Sequence, residues 1–115
     1  WDVQKQQIIH KEAFLITVRD KNALIGAGLF NYSRDVGMYS VGAYKRELFD
    51  KPIGHAVQMK AVEKLKNLGC SKYYLGKRAS SLYIQPSSEK EFSISHFKEG
   101  FANYIYPQAH IEVLP

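Results

Sequence analysis

The first half of the chain alternates between apolar and polar positions in the way that β-strands do. Apolar residues recur at every second position in the segment 11–19, and two further segments, 23–32 and 36–44, are rich in apolar, aromatic and β-branched residues. Short polar breaks separate the three segments. Gly26 and Gly28 leave room for a bulge or a close approach of the backbone. The pattern predicts three strands in an antiparallel meander.

The spacing of apolar residues changes to that of a helix in the middle of the chain. The predicted apolar face of this helix comprises Val57, Ala61, Val62, Leu65 and Leu68. Asp50 is the predicted N-cap, Pro52 fits the first turn, and Gly69 stands where a left-handed residue ends a helix. The sequence therefore predicts a helix that begins just after Asp50 and ends before Gly69.

The remaining segments complete the predicted fold. Residues 71–76 form a predicted strand, so that two strands and the helix between them make a βαβ crossover with parallel strands. A short helix is predicted over 93–101, with an earlier start if Ser88 and Glu91 cap it. Residues 103–114 are expected to supply one or two final strands. The predicted fold class is mixed α/β (α+β), with a mostly antiparallel sheet and one βαβ crossover.

Length and composition limit the classes of protein to which the chain can belong. A chain of 115 residues suits one compact domain, predicted here to span residues 1–115. Cys70 is the single cysteine and cannot form an internal disulfide, and the histidines are not spaced as zinc ligands, so no metal is expected. No apolar run reaches the length of a membrane helix, and no signal peptide opens the chain. We expect a cytoplasmic protein without a membrane span.

The segment 48–56 is the first candidate for chemistry, because it joins a predicted strand to the start of the predicted helix. Amide groups and the helix dipole favour an anion at such a start. Gly54 lets a phosphate approach the backbone, and Lys51 and His55 add charge. The net charge of +5 suits an anionic partner, either a nucleotide cofactor or RNA. Taken alone, the segment fits a plain capped helix equally well.

Four short sequence motifs, which follow one another along the chain, extend this interpretation. They are YSVGAY at 39–44, IGH at 53–55, KNLGCSKYYLG at 66–76 and HFKEGF at 96–101. Together they resemble the GNAT superfamily of N-acyltransferases, closest to its branch of Fem-type aminoacyltransferases and related FemAB-like acetyltransferases. The resemblance covers about residues 13–106. The first strand and first two helices of that family are not evident before Lys11, so the chain is expected to be the C-terminal portion of the full fold, or to have its exposed face covered by a second subunit in a homodimer.

The resemblance implies a site for acetyl-CoA or another acyl-CoA. The strands 36–44 and 71–75 are expected to splay apart and admit the pantetheine arm, while the pyrophosphate lies on the helix start. The residues expected to bind the cofactor are Val41, Gly42, Ala43, Lys51, Ile53, Gly54, His55 and Ala56. The expected acceptor is a small amine, an amino sugar or a peptide.

Acyl transfer to an amine needs a base for the amine, a donor for the thioester carbonyl and a proton for the leaving thiolate. A backbone N–H of the segment 41–43 is the expected carbonyl donor, and Glu47 or His55 the expected base. Candidate acids are Tyr44, Tyr83 and Tyr104. The predicted catalytic residues are Tyr44, Glu47 and Tyr104, in a direct attack by the amine without a covalent enzyme intermediate.

Two further functions fit the same residues. One is aminoacyl transfer from a charged tRNA, which the positive net charge permits. The other is a non-catalytic binding or interaction module that keeps the fold and has lost the acceptor wall. A dimer that hides the cleft and the absence of CoA binding would distinguish the module from the enzyme.

Overall fold

A computed structural model of the chain describes residues 1–48, 51–76, 88–107 and 111–114. It falls into two compact units, Trp1–Gly76 and Lys77–Pro115. The elements of the first unit are α1 (Asp2–Ile9), β1 (Ala13–Asp20), β2 (Ala23–Ser33), β3 (Val36–Tyr44), a 3₁₀ turn (Arg46–Leu48), α2 (Ile53–Asn67) and β4 (Lys72–Tyr74). The second unit contains α3 (Glu89–Glu99).

The first unit is built on a four-stranded sheet in the order β1-β2-β3-β4. The first three strands form an antiparallel meander, and β4 lies parallel to β3. Helix α2 connects β3 to β4, as a parallel pair requires. The predicted fold class, a mixed sheet with one βαβ crossover, is confirmed, and β3 has the bounds predicted from its sequence.

Helix α2 packs on one face of this sheet. Its residues Val57, Ala61 and Leu65 recur at intervals of four, so they share a face, and all three are buried. Phe30 of β2 is fully buried beneath them and lies at the centre of an aromatic cluster. Its ring centroid is 5.2 Å from Phe14, 5.4 Å from Tyr39 and 6.4 Å from Tyr73. The core therefore joins α2 to all four strands.

The structure contradicts the predicted N-cap of α2 and confirms its predicted end. Pro52 is the N-cap, without a side-chain hydrogen bond, so the prediction of Asp50 as N-cap is wrong; Asp50 itself lies outside the described residues. At the other end, Gly69 has a φ of +89°, as predicted. The Cys70 N–H donates to the Leu65 carbonyl at 2.9 Å and the Gly69 N–H to the Lys66 carbonyl at 3.1 Å. These two bonds are the Schellman pattern that ends helices at glycine.

Helix α1 occupies a segment in which no element was expected. None of its residues is buried, so it has no apolar periodicity to reveal it in the sequence. A side-chain hydrogen bond ties it to the sheet, in which Asn31 Nδ2 donates to Gln7 Oε1 at 3.2 Å. Asn31 also accepts a short hydrogen bond from the Ser40 hydroxyl. The contact is polar and joins residues distant in the sequence, which explains why hydrophobic spacing does not reveal it.

In the second unit, the earlier of the two predicted starts of α3 is confirmed. The Ser88 hydroxyl caps the helix by accepting from the Glu91 N–H at 3.2 Å. Phe97 and Phe101 meet edge to face at 5.5 Å. The prediction of final strands in 103–114 is wrong for residues 103–107 and 111–114, which contain no strand. Tyr83 lies outside the described residues.

Candidate functional site

The ladder between β3 and β4 is short. It consists of three residue pairs, from Val36 with Lys72 to Met38 with Tyr74. Beyond Met38, the remaining part of β3 has no strand on this side within the described ranges. Among the described residues, the edge formed by residues 39–44 thus has no partner strand, and an extended ligand can add to such an edge as a strand would.

A β-bulge at Ser40 sets which side chains line this part of β3. Tyr39 pairs with Phe30 and Val41 pairs with Leu29, so Ser40 is an extra residue in β3. After the extra residue the alternation is reversed. Gly42 and Tyr44 consequently share the α2 face of the sheet with Tyr39, while Val41, which is 57% exposed, lies on the opposite face.

Gly42 makes room for two tyrosine hydroxyls on the α2 face. A Cβ at Gly42 would lie 3.0 Å from the Tyr44 hydroxyl oxygen and would overlap that of Tyr39. The Tyr44 hydroxyl is buried, and no partner with hydrogen-bond geometry is present in the part of the chain that is described, although the Tyr39 hydroxyl lies near it. Burial raises the pKa of Tyr44 well above its usual value, and Tyr39 adds to the shift. Tyr44 is therefore neutral at neutral pH.

Tyr73 and Gln58 complete this group of side chains, which we call the tyrosine cluster: Tyr39, Tyr44, Tyr73 and Gln58. The Tyr73 hydroxyl donates a short hydrogen bond to Gln58 Oε1. Burial raises the pKa of Tyr73, and the neighbouring Tyr39 and Tyr44 raise it further. Gln58 was missed in the sequence, although its position three residues before Ala61 places it on the apolar face of α2. The signal that could have revealed Gln58 is a polar residue on an otherwise apolar helix face.

The tyrosine cluster predicts a stability that falls at alkaline pH. In the folded state Tyr44 and Tyr73 hold protons that the unfolded chain releases near pH 10.0. Their contribution is complete below that pH and is lost as the pH rises above it. Urea unfolding between pH 8 and 11 should therefore show a decline that is shallower in Tyr44→Phe and Tyr73→Phe than in the wild type. Equal slopes in all three proteins would contradict the raised pKa values.

The start of α2 lies beside the far end of β3. Ile53, the first residue of α2, is buried, and its Cγ2 atom would lie 3.0 Å from a Cβ at Gly26, which pairs with Tyr44. Gly54 is half-buried, and the expected ligand residues Lys51, His55 and Ala56 are exposed. Amide groups in the first turn of a helix have no acceptor inside the helix and favour an anion there. The start of α2 thus lies beside Tyr44, the last residue of β3.

The three predicted catalytic residues occupy different settings. Tyr44 is in the buried tyrosine cluster. Glu47 lies in the 3₁₀ turn that follows β3, with its carboxylate exposed. Tyr104 belongs to the second unit, where it is 70% exposed and its ring is stacked on Tyr106 at a centroid distance of 5.9 Å. Tyr44 and Glu47 are close in sequence at the end of β3.

Two other kinds of site were sought in the described ranges. No group of three or more His, Cys, Asp or Glu side chains is placed there to hold a metal ion. No helix of these ranges is long and apolar enough to cross a membrane.

Comparison with known proteins identifies the fold. No family model matches the sequence, and no curated protein matches it significantly. Among solved structures, the ribosomal-protein-alanine N-acetyltransferase of Brucella melitensis biovar Abortus 2308 superposes with a TM-score of 0.68 at 13% identity, covering 96% of this chain and 77% of that one. A GNAT family acetyltransferase of Staphylococcus aureus subsp. aureus USA300_TCH1516 gives 0.59 at 18% identity, over 76% and 69%.

A third similar structure has a different description. The transcriptional regulator of Bacillus halodurans C-125 superposes with a TM-score of 0.70 at 14% identity, covering 96% of this chain and 73% of that one. The mixed sheet of this chain therefore matches the fold of GNAT acetyltransferases. At such identities the likeness is one of fold, and function has to be argued from the site.

Proposed function

We propose that the protein is an acyl-CoA-dependent N-acyltransferase, which moves an acetyl or other acyl group to a primary amine. The observation that carries the proposal is the opening of the β3–β4 ladder beside the start of α2. An open strand edge suits an extended arm, and a helix start suits a phosphate. The fold shared with acetyltransferases supports the same assignment.

In this proposal, each part of the chain binds one part of the cosubstrate. The backbone of Val41, Gly42 and Ala43 pairs with the pantetheine arm of acetyl-CoA or another acyl-CoA. The first turn of α2 takes the pyrophosphate on the backbone of residues 53–56, and Lys51 adds a positive charge. The thioester of the cosubstrate supplies the activated acyl group.

The reaction forms a C–N bond to the amine and breaks the C–S bond of the thioester. A backbone N–H of residues 41–43 stabilises the developing oxyanion. The exposed carboxylate of Glu47 takes the proton of the amine, with His55 as the other candidate base. For the proton of the leaving thiolate, whose own pKa is about 8.5, the raised pKa of Tyr44 makes it a poor donor. Tyr104, in the second unit, stays the other candidate acid. Tyr44 then lines the site.

Calorimetric titration with acetyl-CoA and with CoA tests the proposal. Gly54→Val should weaken both affinities by about tenfold or more, because a β-branched side chain keeps a phosphate from the amides of the first turn; tenfold corresponds to about 1.4 kcal/mol. Lys64→Val, an exposed position in the last turn of the same helix, is the matched control and should bind as the wild type does. Equal affinities of Gly54→Val and Lys64→Val, or no binding by the folded wild type, would overturn the proposal.

Two alternatives have their own supporting observations. The net charge of +5 permits aminoacyl transfer from a charged tRNA, as in the Fem-type branch that the sequence resembles. Binding of a charged tRNA that weakens steeply with salt, together with no binding of CoA, would favour this function. The likeness to a structure described as a transcriptional regulator favours a non-catalytic module. Folded protein that binds neither CoA nor tRNA and forms a dimer would favour the module.

A further inference from the structure

Gln58 is a fully buried polar side chain on the apolar face of α2. It lies between Val57 and Ala61 in the core, and its exposed fraction is zero. Burying an amide group without a hydrogen bond destabilises the folded state, and an aliphatic side chain of the same size would fill the position without that loss. A glutamine here calls for a reason beyond packing.

Only one end of the Gln58 amide is satisfied. Its Oε1 atom accepts from the Tyr73 hydroxyl, but its Nε2 group has no hydrogen-bond partner among the described residues. The buried Tyr44 hydroxyl differs, because the Tyr39 hydroxyl lies beside it. The tyrosine cluster therefore contains one buried donor, Gln58 Nε2, that has no protein acceptor in the described ranges.

The side chains of the tyrosine cluster come from elements that meet where β3 and β4 separate. Tyr73 lies on β4 opposite Gly37, one residue pair before the ladder ends at Met38 and Tyr74. Tyr39 and Tyr44 lie on the part of β3 that continues beyond the ladder, on the α2 face of the sheet. The unpaired Nε2 group of Gln58 thus belongs to the side-chain cluster beneath the open edge.

We propose that Gln58 Nε2 donates a hydrogen bond to a carbonyl oxygen of an extended, amide-bearing chain that enters between β3 and β4. The inference rests on the proposed function, in which the chain is the pantetheine arm, a linear segment with two secondary amides. Tyr73 acts as a positioning residue, because its hydroxyl occupies Oε1 and so leaves the NH₂ end of the amide for the ligand. Because Gln58 has no exposed surface, the arm reaches it only when neighbouring side chains move.

The test uses two variants and two ligands. Tyr73→Phe removes the hydroxyl and keeps the amide, while Gln58→Met/Tyr73→Phe removes the amide without leaving the Tyr73 hydroxyl unpaired. CoA contains the amide-bearing arm, and adenosine 3′-phosphate 5′-diphosphate is the nucleotide part of CoA without that arm. The double variant should bind CoA about 3- to 10-fold more weakly than Tyr73→Phe, the range expected for one buried hydrogen bond. The two variants should bind the nucleotide equally.

A stability measurement separates a binding role from a structural one. Without ligand, the double variant should be at least as stable in urea as Tyr73→Phe, because a buried unpaired donor has been removed. Gln58→Leu/Tyr73→Phe, with a differently shaped side chain, should behave in the same way.

The outcomes are distinct. Equal affinity of the double variant and Tyr73→Phe for CoA would overturn the role of Gln58 and leave the proposed function in place; it is the result expected if an internal water satisfies the amide. Wild-type protein that binds CoA no more tightly than the nucleotide would overturn the role of Gln58 as well. Folded wild type that binds neither ligand would overturn both proposals.

Discussion

Phe30→Ala should lower the free energy of unfolding by about 3–5 kcal/mol, the range for truncating a fully buried phenylalanine. The ring has no exposed surface and is in contact with Phe14, Tyr39 and Tyr73 from three different strands. Its loss leaves a cavity that those rings cannot fill without leaving their own positions. Urea unfolding followed by far-ultraviolet circular dichroism measures the change.

The matched control for this substitution is Leu24→Ala in the same strand. Leu24 is 47% exposed, so its truncation removes little buried area and should change the free energy of unfolding by less than about 1 kcal/mol. Because native proteins are stable by only about 5–15 kcal/mol, Phe30→Ala is expected to unfold at markedly lower urea than Leu24→Ala. Similar midpoints for the two variants would show that the core is not centred on Phe30.

Gly28→Val should destabilise the protein by about 3 kcal/mol, the upper part of the range for overpacking a core. A Cβ at Gly28 would lie 2.8 Å from Val57 Cγ1 and 2.9 Å from Phe30 Cε2, and further methyl groups would come closer. Val57 is β-branched and rigid, so it cannot rotate out of the way. Intrinsic strand propensity alone favours valine over glycine by up to about 1 kcal/mol, so the two effects have opposite signs.

Ala43→Val is the control in which no steric overlap opposes the strand propensity of valine. Ala43 is exposed on the other face of the sheet, on the strand paired with that of Gly28, and its enlargement should be neutral or slightly stabilising. A destabilised Gly28→Val beside an unchanged Ala43→Val is the expected result in urea unfolding. A stabilised Gly28→Val would mean that α2 does not approach the sheet as closely as described.

The parts of the fold that could be predicted are those in which apolar spacing and packing agree. Helix α2 was predicted because its residues at 57, 61 and 65 are buried at helical spacing, and its end because Gly69 adopts a conformation that suits glycine. Strand β3 was predicted because its aromatic and branched residues are bounded by polar turns. In each case the local signal coincides with a tertiary requirement.

The parts that could not be predicted depend on contacts between distant residues. Helix α1 buries none of its residues and is tied to the sheet through Asn31 and Gln7, which no local pattern indicates. The segment 103–107 was expected to form a strand because it is aromatic and β-branched, but no strand among the described residues pairs with it, and strand propensity depends on such pairing. Asp50 was chosen as N-cap by residue type alone.

The candidate site, too, could be predicted only in part. Resemblance to a family indicated β3 and the start of α2, and the structure places these two elements side by side. The bulge at Ser40 is a property of the pairing between β2 and β3, so β3 alone could not reveal it. The reversed alternation, and with it the meeting of Tyr44 and Gln58 in one cluster, therefore required the structure. Catalytic roles, a homodimer and a cytoplasmic location stay predictions.

The extra residue at Ser40 also has a consequence for how this segment tolerates change in length. Deleting Ser40 would remove the bulge and leave Tyr39 paired with Phe30 and Val41 paired with Leu29, so that both tyrosines would stay on the α2 face and Val41 on the opposite face. A deletion or insertion elsewhere in β3 has no extra residue to absorb it and would move the side chains beyond it to the other face of the sheet. Relatives that share this site can therefore lack one residue between Tyr39 and Gly42, where the bulge lies, but should keep the length of the rest of the strand.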